Sequence, residues 1–460
     1  MAVNEILVIL MFITFIALLF TGYPIAWTLG GVGILFAFIG WLSDMYLGTV
    51  TGLDFQVVGM IVHRLYKLMS NWVMVAIPMF IYMGLMMDQS GIAEKMMLSM
   101  QNLLGRLRGG LAITVTVIGV ILAASTGIVG ASVTLLGILS LPAMLKQGYN
   151  KPLALGTIAA SGTLGILIPP SVMLVVMADQ LALSVGDLFM GAVFPGLILA
   201  GLYLSYIIVL GLVWPQAAPL PKDRPDLDWK AIWNVLKTTI PPAFLILAVL
   251  GSIFAGITTI TEASGVGALG ATLLAWRNKK LTFSVLKSVT ESTMRMLGFV
   301  FGIFLGATCF SLVLRLLGGD EFVEKILTSL PFGPYGILIF TLGIIFLLGF
   351  FLDWIEISLI MLPLLAPVIT TLGLDIPGQG IIDNPELVWF TVLVAVSLQT
   401  SFLTPPVGFS LFFLMGVSPP EVQLADIYKG VIPFVILQLI ALVFIIIWPE
   451  LVIWLPTVAY

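Results

Sequence analysis

Long apolar runs separated by short polar stretches dominate this chain. A hydrocarbon core about 30 Å thick needs about 20 helical residues to cross it. Runs at 6–20, 24–42, 72–88, 152–181, 187–214, 235–256, 259–276, 294–314, 387–418 and 427–456 read as membrane-spanning helices. Two further runs, 111–145 and 334–372, are too long for one span. Small or polar residues interrupt each near its middle, as "ASTGIVGAS" (124–132) and "GFFLDWIEIS" (349–358). Each is either two closely connected spans or a re-entrant hairpin. Both readings leave the parity of later spans unchanged.

Two apolar runs also carry adjacent prolines, in "GTLGILIPPS" (162–171) and "TSFLTPPVGF" (400–409). Proline removes a backbone donor and clashes with the preceding turn. In lipid the freed carbonyls cost several kcal/mol each unless protein buries them or they line a cavity.

The two halves match in register. "GIAEKMM" (91–97) parallels "EFVEKIL" (321–327), and "LIPPSVML" (167–174) parallels "LTPPVGFS" (403–410). "GDLFMGAVFPG" (186–196) parallels "ADIYKGVIPF" (425–434), and Pro142 with Gly148 parallels Pro367 with Gly373. Four matches in one order predict an internal repeat. Each half then holds three spans, a hairpin, a Pro-Pro-broken span and a final span. Five crossings invert the second half. The expected fold is therefore an all-α polytopic membrane protein of two inverted-topology repeats, each with a re-entrant hairpin and a Pro-Pro-broken transmembrane helix. Such repeats mark secondary transporters, with sites at the helix breaks.

Composition agrees: 60% of residues are apolar and 9% charged. The net charge of −4 gives no sign of nucleic acid. The lone Cys309 cannot form an intramolecular disulfide, and His63 reads as part of a loop. No HExxH, Ser–His pair or His/Cys cluster suggests an enzyme or a transition-metal site. Counting spans from the N-terminal side, fifteen of nineteen Lys and Arg fall on the opposite side. Arg64, Lys67, Arg315 and Lys325 fall on the N-terminal side. The positive-inside rule makes the richer side cytoplasmic and places both termini outside. Arg295 and Arg315 flank one span and are expected to snorkel or pair.

The breaks and tips carry the candidate chemistry. The first tip offers Ser125, Thr126, Gly127, Gly130 and Ser132, facing Ser161, Gly162, Thr163, Gly165, Pro169 and Ser171. The second offers Gly349, Asp353 and Glu356, facing Gln399, Thr400, Ser401, Thr404 and Pro405. These sets are nearly all oxygen and suit hard cations such as Na⁺. An acid inside an apolar stretch is functional by default, which singles out Asp353. Asp353 is also a good helix N-cap, a role compatible with cation binding. Ser171 and Glu356 are the candidate substrate contacts.

"AIPMFIYMGLMMDQSGIAEKM", "LPAMLKQGYNKPLALGTIAASGTLGILIPPSVML" and "TPPVGFSLFF" resemble the large membrane subunit of TRAP (tripartite ATP-independent periplasmic) transporters. The likeness runs along nearly the whole chain. It implies an elevator-type, Na⁺-driven importer of organic acids, mostly carboxylates, in the bacterial inner membrane, with no cofactor beyond the coupling ion. It implies two partners: a small four-helix membrane subunit and a periplasmic substrate-binding protein. The family's ion sites carry over to Ser125–Ser132 with Gly162–Pro169, and to Gly349–Asp353 with Thr400–Pro405. One departure is the first tip, "STGIVGAS", where many members have a compact Ser-Gly-Ser-Ala type.

The expected division is 1–110 scaffold, 111–214 transport elements, 215–234 a cytoplasmic linker, 235–333 scaffold and 334–460 transport elements. A stand-alone divalent-anion/Na⁺ symporter, or proton coupling through Asp353, is the alternative. A channel fits inverted hairpin repeats less well than alternating access does.

Overall fold

The computed structural model describes residues 3–127, 129–221, 228–405 and 408–459. The side chains of 55–58, 123, 125 and 126 lie outside that description, which covers the side-chain expectations for Ser125 and Thr126. Among the described residues the chain is helical, without a named strand.

The first half runs α1 (Val3–Leu19), α2 (Ile25–Leu47), α3 (Phe55–Met69), a 3-10 turn (Trp72–Val75), α4 (Ala76–Gln89) and α5 (Ile92–Leu104). Then come α6 (Gly110–Thr126), α7 (Val129–Gln147), α8 (Lys151–Thr163), α9 (Val172–Gln180) and α10 (Val185–Val213). The second half opens with α11 (Trp229–Phe254), α12 (Ile260–Arg277), α13 (Phe283–Leu316) and α14 (Gly319–Thr328). It continues with α15 (Pro334–Leu348), α16 (Trp354–Glu356), a π-helical turn (Ile357–Met361) and α17 (Leu362–Thr371). It closes with α18 (Pro385–Leu403), α19 (Phe409–Val417), α20 (Leu424–Ile447) and α21 (Glu450–Ala459). Nine helical stretches of the described residues are long and apolar enough to cross a membrane.

Several boundaries differ from the sequence expectation. The run 427–456 is two helices, α20 and α21, because Pro449 lacks the N–H that would continue the first. Helix α13 begins well before residue 294, in polar turns where Lys287 and Glu291 pair at 3.8 Å. Helix α11 begins inside the expected linker, with Asp228 as its N-cap. His63 is not in a loop. It lies within α3, whose polar and apolar residues segregate to opposite faces.

The two broken helices occupy the middle of the bundle. Asn150 caps α8 by accepting from Leu153 N at 3.3 Å, and Pro152 sits where no intrahelical donor is needed. Every residue of α8 from Leu153 to Thr163 is buried. In α18 the buried share is 94%, against 22% in α11, so α18 is surrounded by this chain and α11 lies at its outer surface. At 1.5 Å per residue, α8 is about 20 Å long and ends before a 30 Å core is crossed. Its termination is therefore deep within the protein, where the breaking residues need internal partners.

Candidate functional site

The first break begins as α8 tightens into a 3-10 turn, Leu164–Ile166. The Pro169–Pro170 peptide is cis, and α9 starts after Ser171. Ser171 is fully buried, and its hydroxyl donates across the break to the Ile166 carbonyl at 2.6 Å. The candidate substrate contact thus already spends its proton within the protein. The second break repeats the device with a residue the sequence reading did not single out. Ser410 Oγ, in the first turn of α19, donates to Phe402 O of α18 at 2.6 Å.

Hairpin α6–α7 grips α8. Glycine at 119 lets α6 approach Ser161, whose Cβ would lie 2.7 Å from an added Cβ. Gly162 does the same for α7, since an added Cβ would meet Val133 N and Cα at 3.0 Å. Gly127 at the tip has φ +59, the left-handed region that favours glycine. A Cβ added there would lie 3.3 Å from Val172 N and 3.7 Å from Pro170 O, so the tip sits against the break. Gly130 looks elsewhere, onto the Phe413 ring of α19. Ser132, Thr163, Gly165 and Pro169 are all buried. Thr163 Oγ1 donates to Ala160 O at 2.9 Å.

The second tip meets α18. A Cβ on Gly349 would overlap Ser401 Oγ and lie 2.9 Å from Ser401 Cβ. Asp353 is half-buried and caps α16, its Oδ1 accepting from Trp354 N at 2.8 Å. One turn on, Glu356 is fully buried, and neither carboxylate oxygen has a hydrogen-bond partner among the described residues. It immediately precedes the π-helical turn, a deviation frequent at functional sites. Facing them, Thr400 Oγ1 donates to Val396 O at 2.8 Å. Thr404 Oγ1 donates to Thr400 O at 2.7 Å, and Pro405 follows it in the break.

The two halves of the site touch. Gln399 Nε2 of α18 donates to Thr163 Oγ1 of α8 at 3.4 Å. Gln399 is fully buried, and its Oε1 has no partner among the described residues. A buried acceptor without a donor is costly unless something else meets it.

A cavity of about 730 Å³ opens among α3, α9, α13 and the π-helical turn. Arg64, Lys67 and Arg315 line it, together with one acid, Asp179, and with Asn71 and Gln180. Asn71 Nδ2 donates to Asp179 Oδ1, tying α9 to the turn before α4. Arg315 does pair, as expected, with Asp320 at 3.4 Å, but it also faces this cavity. Its convergence with Arg64 and Lys67 was missed. The available signal was that these are three of the four cations the span count assigns to the N-terminal side.

The chain matches the family described as tripartite ATP-independent periplasmic transporter, DctM component, over residues 12–451. It is 31% identical to the C4-dicarboxylate TRAP transporter large permease protein DctM of Vibrio cholerae, covering 98% of this chain and 97% of that one. It is 25% identical to the ectoine TRAP transporter large permease protein TeaC of Halomonas elongata, covering 98% and 99%. The sialic acid TRAP transporter permease protein SiaT of Haemophilus influenzae is 24% identical, over 93% of this chain and 69% of that protein. In fold the chain is similar to the Alcanivorax borkumensis YdaH transporter, with a TM-score of 0.54, 14% identity, and coverage of 84% and 89%. These relatives are transporter components rather than enzymes. With nearly its full length matched, this chain belongs to the DctM family, the large permease component of TRAP transporters.

Proposed function

We propose that this permease imports organic acid anions, chiefly carboxylates, by Na⁺ symport across a bacterial inner membrane. The observation that carries the reading is the junction of two tip-and-break pairs at Gln399 and Thr163. Around it the offered ligands are carbonyls, hydroxyls and a carboxylate, a set that favours a hard cation. The first ion would lie among Ser125–Ser132 and Gly162–Pro169, the second among Gly349–Asp353 and Thr400–Pro405. The cavity lined by Arg64, Lys67 and Arg315 supports an anionic substrate. C4-dicarboxylates and sialic acid, named for two relatives, are such acids.

In this reading the hairpins and broken helices move as one body against α1–α4 and α11–α13, with the second half inverted relative to the first. A small membrane subunit and a periplasmic binding protein complete the transporter, and both termini face the periplasm. The test is uptake into proteoliposomes holding all three components. Uptake driven by a Na⁺ gradient and lost without the binding protein is expected. Equal uptake by the chain alone would instead assign a stand-alone symporter.

Proton coupling is the second reading, favoured by the buried carboxylate of Glu356, which has no hydrogen-bond partner among the described residues, one turn from Asp353. Uptake that follows a pH gradient and ignores Na⁺ would select it.

A further inference from the structure

A second cationic cavity, about 630 Å³, lies on the side richer in Lys and Arg, between α5, α11 and α12. Each helix supplies one cation: Lys95, Lys237 and Arg277. No acid is among the residues that line it. Lys95 Nζ donates to Asn278 Oδ1 at 3.0 Å, and none of the three cations has an ion pair among the described residues. The matching lysine of the second half is different. Lys325 on α14 is held by Glu5 of α1 at 3.0 Å. One copy of the repeat has its own counter-charge, and the other gathers three cations that repel one another until an anion arrives.

The rest of the lining identifies the anion. Leu98, Pro242 and Leu274 line the cavity as well, so it presents apolar side chains together with the cations. Trp229 and Trp233, in the adjoining first turns of α11, are 70% and 59% exposed. Tryptophans in such positions sit at the membrane–water interface, at the level of lipid headgroups. A groove of about 440 Å³ lined by Trp229, Lys230 and Trp233 continues the cavity through the shared Asn234. Basic pockets between helices at this depth accept phosphate headgroups.

We propose that Lys95, Lys237 and Arg277 bind the phosphate of an anionic phospholipid, with its acyl chains along Leu98, Pro242 and Leu274. The lipid joins α5, the arm leading to the first hairpin, to α11 and α12. It supplies the counter-charge that Glu5 supplies to Lys325.

The test uses the full chain purified with its small membrane subunit and stripped of lipid. Thermal unfolding is followed with cardiolipin or phosphatidylglycerol, with phosphatidylcholine, and with inorganic phosphate. Anionic lipid is expected to raise the apparent Tm by roughly 3 °C or more, as saturating ligand does. Phosphatidylcholine and free phosphate should not. Lys237→Gln with Arg277→Gln should remove the shift, while Lys237→Arg should keep it. If the double variant does not fold, native mass spectrometry of single Arg277→Gln reads the same loss as fewer retained anionic lipids. Equal protection by phosphatidylcholine or by phosphate overturns the proposal. So does quantitative crosslinking of Lys237→Cys to the small subunit, which would make the cavity a protein contact.

Discussion

Gln399 and Thr163, 236 residues apart, meet at 3.4 Å where the two broken helices cross the centre of the protein. The amide nitrogen donates there, and the amide oxygen has no partner among the described residues. Gln399→Leu should cost only about 1 kcal/mol through the lost bond, since the same change also removes the buried oxygen without a donor. Uptake should fall at least tenfold while the protein remains folded. Transport and thermal unfolding on one preparation separate the two effects. Normal transport would make the contact purely structural.

At the second tip, steric fit is the testable quantity. Gly349→Ala places a methyl against Ser401 Oγ and 2.9 Å from Ser401 Cβ. The tip must shift, and uptake should drop severalfold. Adding Ser401→Gly removes both obstructing atoms. Because the residues touch, the double variant should be more active than Gly349→Ala alone. Additive losses in a double-mutant cycle would sever the tip from this part of α18.

The two hydroxyl straps predict stability effects. Ser171→Ala and Ser410→Ala each leave a buried carbonyl, Ile166 O or Phe402 O, without its serine donor. Each should destabilise by about 1–3 kcal/mol. The readout is thermal unfolding in detergent. No shift in either variant would mean the carbonyls find other donors.

The proline breaks and the small-residue tips were legible because each depends on local residue chemistry. Proline must interrupt a helix, and glycine must occupy a left-handed turn such as Gly127. Contacts between distant segments left no such mark. Nothing near Gln399 announces Thr163, and Arg64, Lys67 and Arg315 look like scattered flanking charges until α3 and α13 are packed. His63 was misplaced because a 3.6-residue alternation of polar and apolar positions in α3 looks like a loop when only long apolar runs are sought. Ser410 was overlooked because it lies past the prolines, in the helix that follows them.

The cationic cavity predicts a split between substrate and ion. Arg64→Gln or Arg315→Gln should raise the KM for an anionic substrate roughly tenfold, equivalent to about 1.4 kcal/mol. The Na⁺ concentration for half-maximal uptake should stay within twofold. Arg315→Gln also frees Asp320, so Arg64→Gln is the cleaner variant. An unchanged KM in both would remove the cavity from the substrate's path.

The tip-and-break pairs are tested most directly by Na⁺ titration of uptake in proteoliposomes, with voltage clamped and K⁺ as the replacement ion. Wild type should show saturable Na⁺ dependence. Gly127→Ala, strained at φ +59, and Gly349→Ala should each shift the half-saturating Na⁺ concentration upward severalfold. Uptake indifferent to the Na⁺-for-K⁺ exchange, or the same half-saturation in all three proteins, would contradict Na⁺ binding at these two places.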